Sequence, residues 1–169
     1  MSESKEFYRH YMADDNWSDL SSKLLDEVFS FLPAHALEFG SGSGKHLTAL
    51  TNMGVEGCGL DISTNNLLQS RFKNDNKFLI LGDETHLRHL ANFDVVFTCS
   101  VLDHIVDIDG IISEFKRIAN KGILLAETND VPAHYYYPHN YESYGFEKMN
   151  FTWKGDDGAQ YFIWKFVKS

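Results

Sequence analysis

Cysteine and proline are scarce in this chain, at two and three of 169 residues. Cys58 and Cys99 both fall inside apolar stretches, which argues against a disulfide scaffold and for two free thiols in a reducing cytoplasm. Positive charge is also in short supply: 15 Lys and Arg stand against 24 Asp and Glu, a net charge of -9. A nucleic-acid groove needs a basic stripe, and this balance argues against one. No apolar run approaches the roughly 20 residues of a membrane span. The opening Met1-Ser2-Glu3-Ser4-Lys5 does not read as a signal peptide. Repeats, linkers and low-complexity tracts are missing too. What remains, 43% apolar and 23% charged, is the composition of a folded globular chain, long enough for one domain with a single substantial core.

Glycine is concentrated where it matters. In Ala36-Leu37-Glu38-Phe39-Gly40-Ser41-Gly42-Ser43-Gly44-Lys45-His46 an apolar run ends in an acidic residue and is followed by glycine at every second position. The pattern is a strand turning into a helix over a ligand, because glycine permits both a tight turn and a close approach to the backbone. The helix N-terminus beyond it offers free N–H groups and partial positive charge. A dinucleotide fingerprint, G-x-G-x-x-G, would want glycine where Lys45 stands.

Further strands follow at regular intervals. Residues 55–62 lead to Asp61, 21 positions after Gly40, and residues 77–81 lead to Gly82-Asp83. Residues 93–99 run into Cys99-Ser100-Val101-Leu102-Asp103-His104, and residues 122–127 form a fifth run. All five are nearly continuous apolar runs, as in a parallel sheet covered on both faces. Helices are predicted between them. The first is capped by Ser18 or Asp19, carries Leu20, Leu24, Leu25, Val28 and Phe31, and stops at Pro33. Leu47, Leu50 and Met53 mark the second, Ser63 caps a third, a short turn follows Asp83, and Asp107 caps a helix over 108–118, which runs on to Gly122. The last third changes rhythm: residues 146–153 and 160–167 read as strands joined by Lys154-Gly155-Asp156-Asp157-Gly158, an antiparallel hairpin.

Glu38-x-Gly40-x-Gly42-x-Gly44, the strand-end Asp61 and Asp83, and the Phe93 to Ile105 stretch together resemble the class I S-adenosylmethionine-dependent methyltransferases, in order and from about Ser18 to the C-terminus. The resemblance implies an α/β, doubly wound, mostly parallel seven-stranded sheet of order 3-2-1-4-5-7-6, with an antiparallel C-terminal hairpin. It also implies S-adenosylmethionine as cofactor, whose cationic sulfonium suits an acidic chain. One domain, 1–169, is expected, with 1–17 a lid segment and 18–169 the Rossmann-like core.

In open α/β sheets the ligand lies at the carboxyl ends of the strands. Asp61 there can accept both ribose hydroxyls, or else cap the next helix. The resemblance gives Asp83 the adenine amino group, the alternative again being a cap. Glu38 is assigned to the amino-acid end of the cofactor, and Gly40, Gly42 and Gly44 to close approach rather than an ordinary turn. Ser41, Ile62, Gly82, Glu84, Cys99 and Ser100 complete that edge. Lys45 and His46 read as surface or packing residues. His104, following the fourth strand, is the candidate general base; otherwise Asp103-His104 only orders its loop. The aromatics around Phe7-Tyr8-Arg9-His10-Tyr11-Met12, Trp17 and Tyr135-Tyr136-Tyr137 could cover the sulfonium, with Tyr11 and Trp17 counted as cofactor-binding, or close the open end of the core. No metal is expected, although Asp103, Asn129 and Asp130 could imitate a magnesium set, and His86 and His89 read as solvated. The function implied is methyl transfer to a small-molecule acceptor, with no nucleic acid or membrane partner. A catalytically silent cofactor-binding protein, its acceptor side blocked by Tyr135 to Tyr137, is the alternative; a nicotinamide-dependent oxidoreductase fits the glycine spacing and the hairpin less well.

Overall fold

In the computed structural model, residues 3–12, 16, 18–73, 78–130, 134–156 and 158–169 are described. Five parallel strands form in chain order: β1 (His35–Phe39), β2 (Glu56–Asp61), β3 (Leu79–Leu81), β4 (Phe93–Cys99) and β5 (Ala119–Thr128). A hairpin of β6 (Glu147–Lys154) and β7 (Gln160–Val167) completes the sheet, β7 antiparallel to β5 and to β6. The order is β3-β2-β1-β4-β5-β7-β6, as the resemblance implied.

Helices α1 (Glu3–Tyr8), α2 (Asp19–Ser30), α3 (Lys45–Asn52), α4 (Thr64–Lys73) and α5 (Asp109–Ile118) surround this sheet. Alternation along the strands divides the core in two. Ala36, Val95, Phe97 and Leu124 face Leu24 and Val28 of α2 and Leu47 and Leu50 of α3. Leu37, Val96, Ile123 and Leu125 face Ile111 and Phe115 of α5. None of the described helices is long and apolar enough to cross a membrane.

Local starts follow the sequence signals. Ser18 caps α2, its hydroxyl accepting from Ser21 N at 3.1 Å. Ser63 accepts from Asn66 N at 3.2 Å at the head of α4. Two boundaries differ from expectation. Helix α5 stops at Ile118 and β5 starts at Ala119 rather than at residue 122, because Ala119 already pairs with Phe93 across a register shift. The leading segment, to which the sequence assigned no helix, contains one, α1; six residues are fewer than two turns, too few to show a periodicity.

Candidate active site

Strand order reverses beside β1, which has β2 on one side and β4 on the other. There the carboxyl ends open onto a cavity of about 930 Å³, large for a small-molecule site, which spans roughly 300–1,000 Å³.

The turn after β1 forms one wall. Gly40, Gly42 and Gly44 all have positive φ, at 74°, 56° and 85°. Gly40 is required twice over: a Cβ there would also collide with the Val101 side chain. Gly40, Ser41 and Gly42 line the cavity, whereas Gly44 does not; it is the left-handed residue that starts α3. Its place in the motif is therefore conformational.

Asp61 closes β2 and ties two loops together. Its Oδ2 accepts from Gly42 N at 2.7 Å, and its Oδ1 from Ser63 N at 2.7 Å and Asn66 Nδ2 at 3.3 Å. Burial pushes its carboxyl up, while these donors pull the other way. Asp61 and Ile62 line the cavity, as do Gly82, Asp83 and Glu84 after β3. Asp83 caps the short turn Glu84–His89 through Thr85 N and also meets Lys5 of α1 at 2.9 Å. Burial opposes its ionisation, but Thr85, Lys5 and His86 hold it well below the usual carboxylate range. Lys5 reaches Glu84 as well, at 2.7 Å.

Segment 3–12 is thereby fastened across the opening. Ser4 donates to His104 O at 2.6 Å, Ser63 to Tyr11 O at 2.5 Å and Asn65 to His10 O at 2.6 Å. Tyr8 and Tyr11 face the cavity. Trp17, the other aromatic expected here, lies outside the described residues.

The end of β4 supplies Cys99 and Ser100. Both cysteines are free and half-buried, and burial pushes the Cys99 thiol up, so it is not poised as a thiolate. Ser100 adopts φ 54°, an uncommon conformation for a non-glycine residue, and its Oγ stands 3.4 Å from the Tyr161 hydroxyl. His104 follows on the Leu102–His104 turn. Its Nδ1 lies 3.0 Å from Tyr135 O, a pure acceptor, so this nitrogen carries a proton. Nε2 lies 3.5 Å from Asp103 Oδ1. Tyr8 stacks on the ring at 4.5 Å and Tyr136 meets it edge-on. Of the Tyr135 to Tyr137 run only Tyr136 lines the cavity, so the run does not fill it.

Two residues escaped the sequence reading. Glu127 at the end of β5 is fully buried and accepts from Thr98, from Val101 N at 2.9 Å and from Asp103 N at 3.3 Å, which sets the loop bearing Ser100 and His104. His46, read as a surface or packing residue, is buried between Glu38 and Ser21 and lines the cavity, so of the two alternatives it packs, in a polar contact the sequence did not announce. The signal was a polar side chain on a buried stripe: Ser21 shares its helix face with Leu24, Leu25 and Val28. Of the three residues that could imitate a magnesium set, the two aspartates have other partners. Asp103 faces Thr128 N and His104, Asp130 accepts from Gln160 N at 2.6 Å, and Asn129 is exposed.

Glu38 Oε2 and Ser41 Oγ are buried against this cavity without a hydrogen-bond partner among the described residues. Buried orphan oxygens of this kind call for a ligand with donors.

Comparison with known proteins identifies the family and the fold. Residues 37–126, just over half of the chain, match the family described as "Methyltransferase domain". No protein of curated function matches the chain in sequence. Among solved structures, the N-methyltransferase NodS from Bradyrhizobium japonicum WM9, in complex with S-adenosyl-L-homocysteine, superposes with a TM-score of 0.75 at 13% identity, over 98% of this chain and 97% of that one. Magnesium protoporphyrin IX methyltransferase (ChlM) from Synechocystis PCC 6803, with bound SAH, gives 0.74 at 15% identity, over 99% and 100%. TehB from Haemophilus influenzae gives 0.72 at 15% identity, over 88% and 62%.

Proposed function

The chain belongs to the methyltransferase-domain family, and from that premise we propose that it transfers a methyl group from S-adenosylmethionine to a small-molecule acceptor. One observation carries the reading: a single cavity is lined at once by the glycine turn, Asp61, the 82–84 turn and Ser100. When bound, the cofactor supplies a methyl group activated by a positive sulfur. The remaining work falls to the chain. Asp61, with three of its roughly four acceptor sites taken by Gly42, Ser63 and Asn66, accepts from the ribose on the one that remains, the 82–84 turn meets the adenine, and Glu38 and Ser41 meet the amino-acid end.

The acceptor side is formed by Tyr8, Ser100, His104, Tyr136, Trp153 and Tyr161. Alignment of reactants in a closed site supplies effective molarities on the order of 10⁵–10⁸ M, so positioning carries most of the rate. His104 takes the acceptor's proton at Nε2, since Nδ1 is committed to Tyr135, and Asp103 holds the charged ring. Among the described residues, seven carboxylates line the cavity against two lysines, and both lysines have acceptors, Lys5 on Asp83 and Glu84, Lys45 on Asn16 O. Such a lining favours a neutral or cationic acceptor over an anion. The leading segment, residues 1–17, is the lid of a single domain whose core is 18–169. Free, half-buried cysteines fit a reducing compartment such as the cytoplasm.

Incubation of the protein with S-adenosylmethionine and a metabolite extract, followed by mass spectrometry, tests the activity. A new product heavier by one methylene, dependent on His104, is expected. Donor binding with no product from any extract would favour the alternative, a silent cofactor-binding protein.

A further inference from the structure

Behind the cavity runs a chain of buried polar side chains that the reaction does not consume. Glu38 of β1, His46 of α3 and Ser21 of α2 are each at most 2% exposed. Glu38 Oε1 is 2.6 Å from His46 Nδ1, and His46 Nε2 is 3.0 Å from Ser21 Oγ. Ser18 donates to Ser21 Oγ at 3.2 Å. Packing does not ask for this. His46 and Ser21 sit on buried helix faces beside Leu47 and Leu50, and beside Leu24 and Leu25, where an apolar side chain would avoid the cost of burying polar atoms.

The chain has a direction. Ser21 Oγ accepts a hydrogen bond from the Ser18 hydroxyl, which leaves its own O–H to donate to His46 Nε2. That leaves the imidazole proton on Nδ1, aimed at Glu38. One carboxylate oxygen is thereby fixed, while Oε2, on a side chain that lines the cavity, is left without a partner among the described residues. Such an oxygen is best matched by a cationic N–H donor. The sulfonium has no N–H, and the ribose hydroxyls belong to Asp61 at the end of β2. The α-ammonium is the one cationic donor the cofactor has.

We propose that His46, its ring set by Ser21, is the positioning residue that holds Glu38 with its free oxygen toward the ammonium of the bound cofactor. This rests on the S-adenosylmethionine reading above. The role predicts a selective loss that general damage to the fold would not give.

Calorimetric titration with S-adenosylhomocysteine and with 5′-methylthioadenosine reads it out, because the second compound has the nucleoside but no amino-acid end. The unaltered protein should bind the first more tightly. His46→Leu should weaken S-adenosylhomocysteine about tenfold or more, and methylthioadenosine by less than about twofold. His46→Asn, whose amide nitrogen falls near the position of Nδ1, should recover most of the loss. Ser21→Ala keeps the ring but frees its tautomer, so a smaller loss with the same selectivity is expected, and this variant carries the test should His46→Leu not fold. Equal weakening of both compounds, or unaltered S-adenosylhomocysteine binding, overturns the proposal. An unaltered protein that binds neither compound would instead overturn the cofactor reading itself, and this inference with it.

Discussion

At the scale of single residues, the strand-end carboxylates of this site hold the protein together as well as lining the cavity. Asp61 accepts from Gly42 N, Ser63 N and Asn66 before any ligand arrives. Asp61→Ala should therefore lower S-adenosylhomocysteine affinity at least about tenfold and also lower stability, at roughly 1–3 kcal/mol for each donor left unsatisfied. Calorimetry and urea unfolding check the two effects separately; lost affinity at unchanged stability would mean that the loops hold without it. Glu127 offers a titration test. Burial raises its folded pKa despite its donors, so the folded state binds the proton more tightly than the unfolded chain does. Its contribution to stability is then most favourable below the unfolded value near 4.3 and diminishes as pH rises through the higher folded value. Glu127→Gln removes that dependence. Measured by urea unfolding, the stability of the variant relative to the unaltered protein should improve as pH rises from the unfolded value through the higher folded one. A difference that stays flat with pH would show that Glu127 titrates normally.

At the scale of elements, the segment from Glu3 to Met12 is held to the core by a few polar contacts rather than by a buried stripe; Ser4 is the only buried residue of α1. Lys5 is its charged tether. Lys5→Met should move the Asp83 titration up toward the ordinary carboxylate range, followed by carboxyl NMR, and should speed amide exchange across residues 3–12. Deletion of residues 1–17 should leave a folded protein that binds S-adenosylhomocysteine within about tenfold of the full chain but has lost turnover. Full turnover after deletion would mean that the acceptor site is completed without the leading segment, by residues 135–139 and those beside them. Elements differ in how plainly the sequence shows them. Strands β1, β2 and β3 were legible because each is an apolar run ended by glycine or a carboxylate, β4 as an apolar run, and α2 because Ser18 and its leucines announce it. Helix α1 was not, being shorter than a period analysis needs, nor was the early start of β5, which depends on pairing between Ala119 and Phe93.

At the scale of the whole molecule, topology gathers what the sequence scatters. Residues 38, 61, 83 and 100 come together because the order β3-β2-β1-β4 puts four carboxyl ends side by side, and strand-end positions can be read from sequence alone. The Glu38–His46–Ser21 chain and the grip of Glu127 on the loop after β4 could not be read that way. Each needs two elements at a particular rotation, and neither histidine nor serine signals burial by itself. The central claim is that this gathered edge holds the adenosyl cofactor of a methyltransferase. Parallel calorimetric titrations of one preparation with S-adenosylhomocysteine and with NAD test it most directly: the account predicts saturable binding of the first and none of the second, and NAD binding as tight or tighter would contradict it.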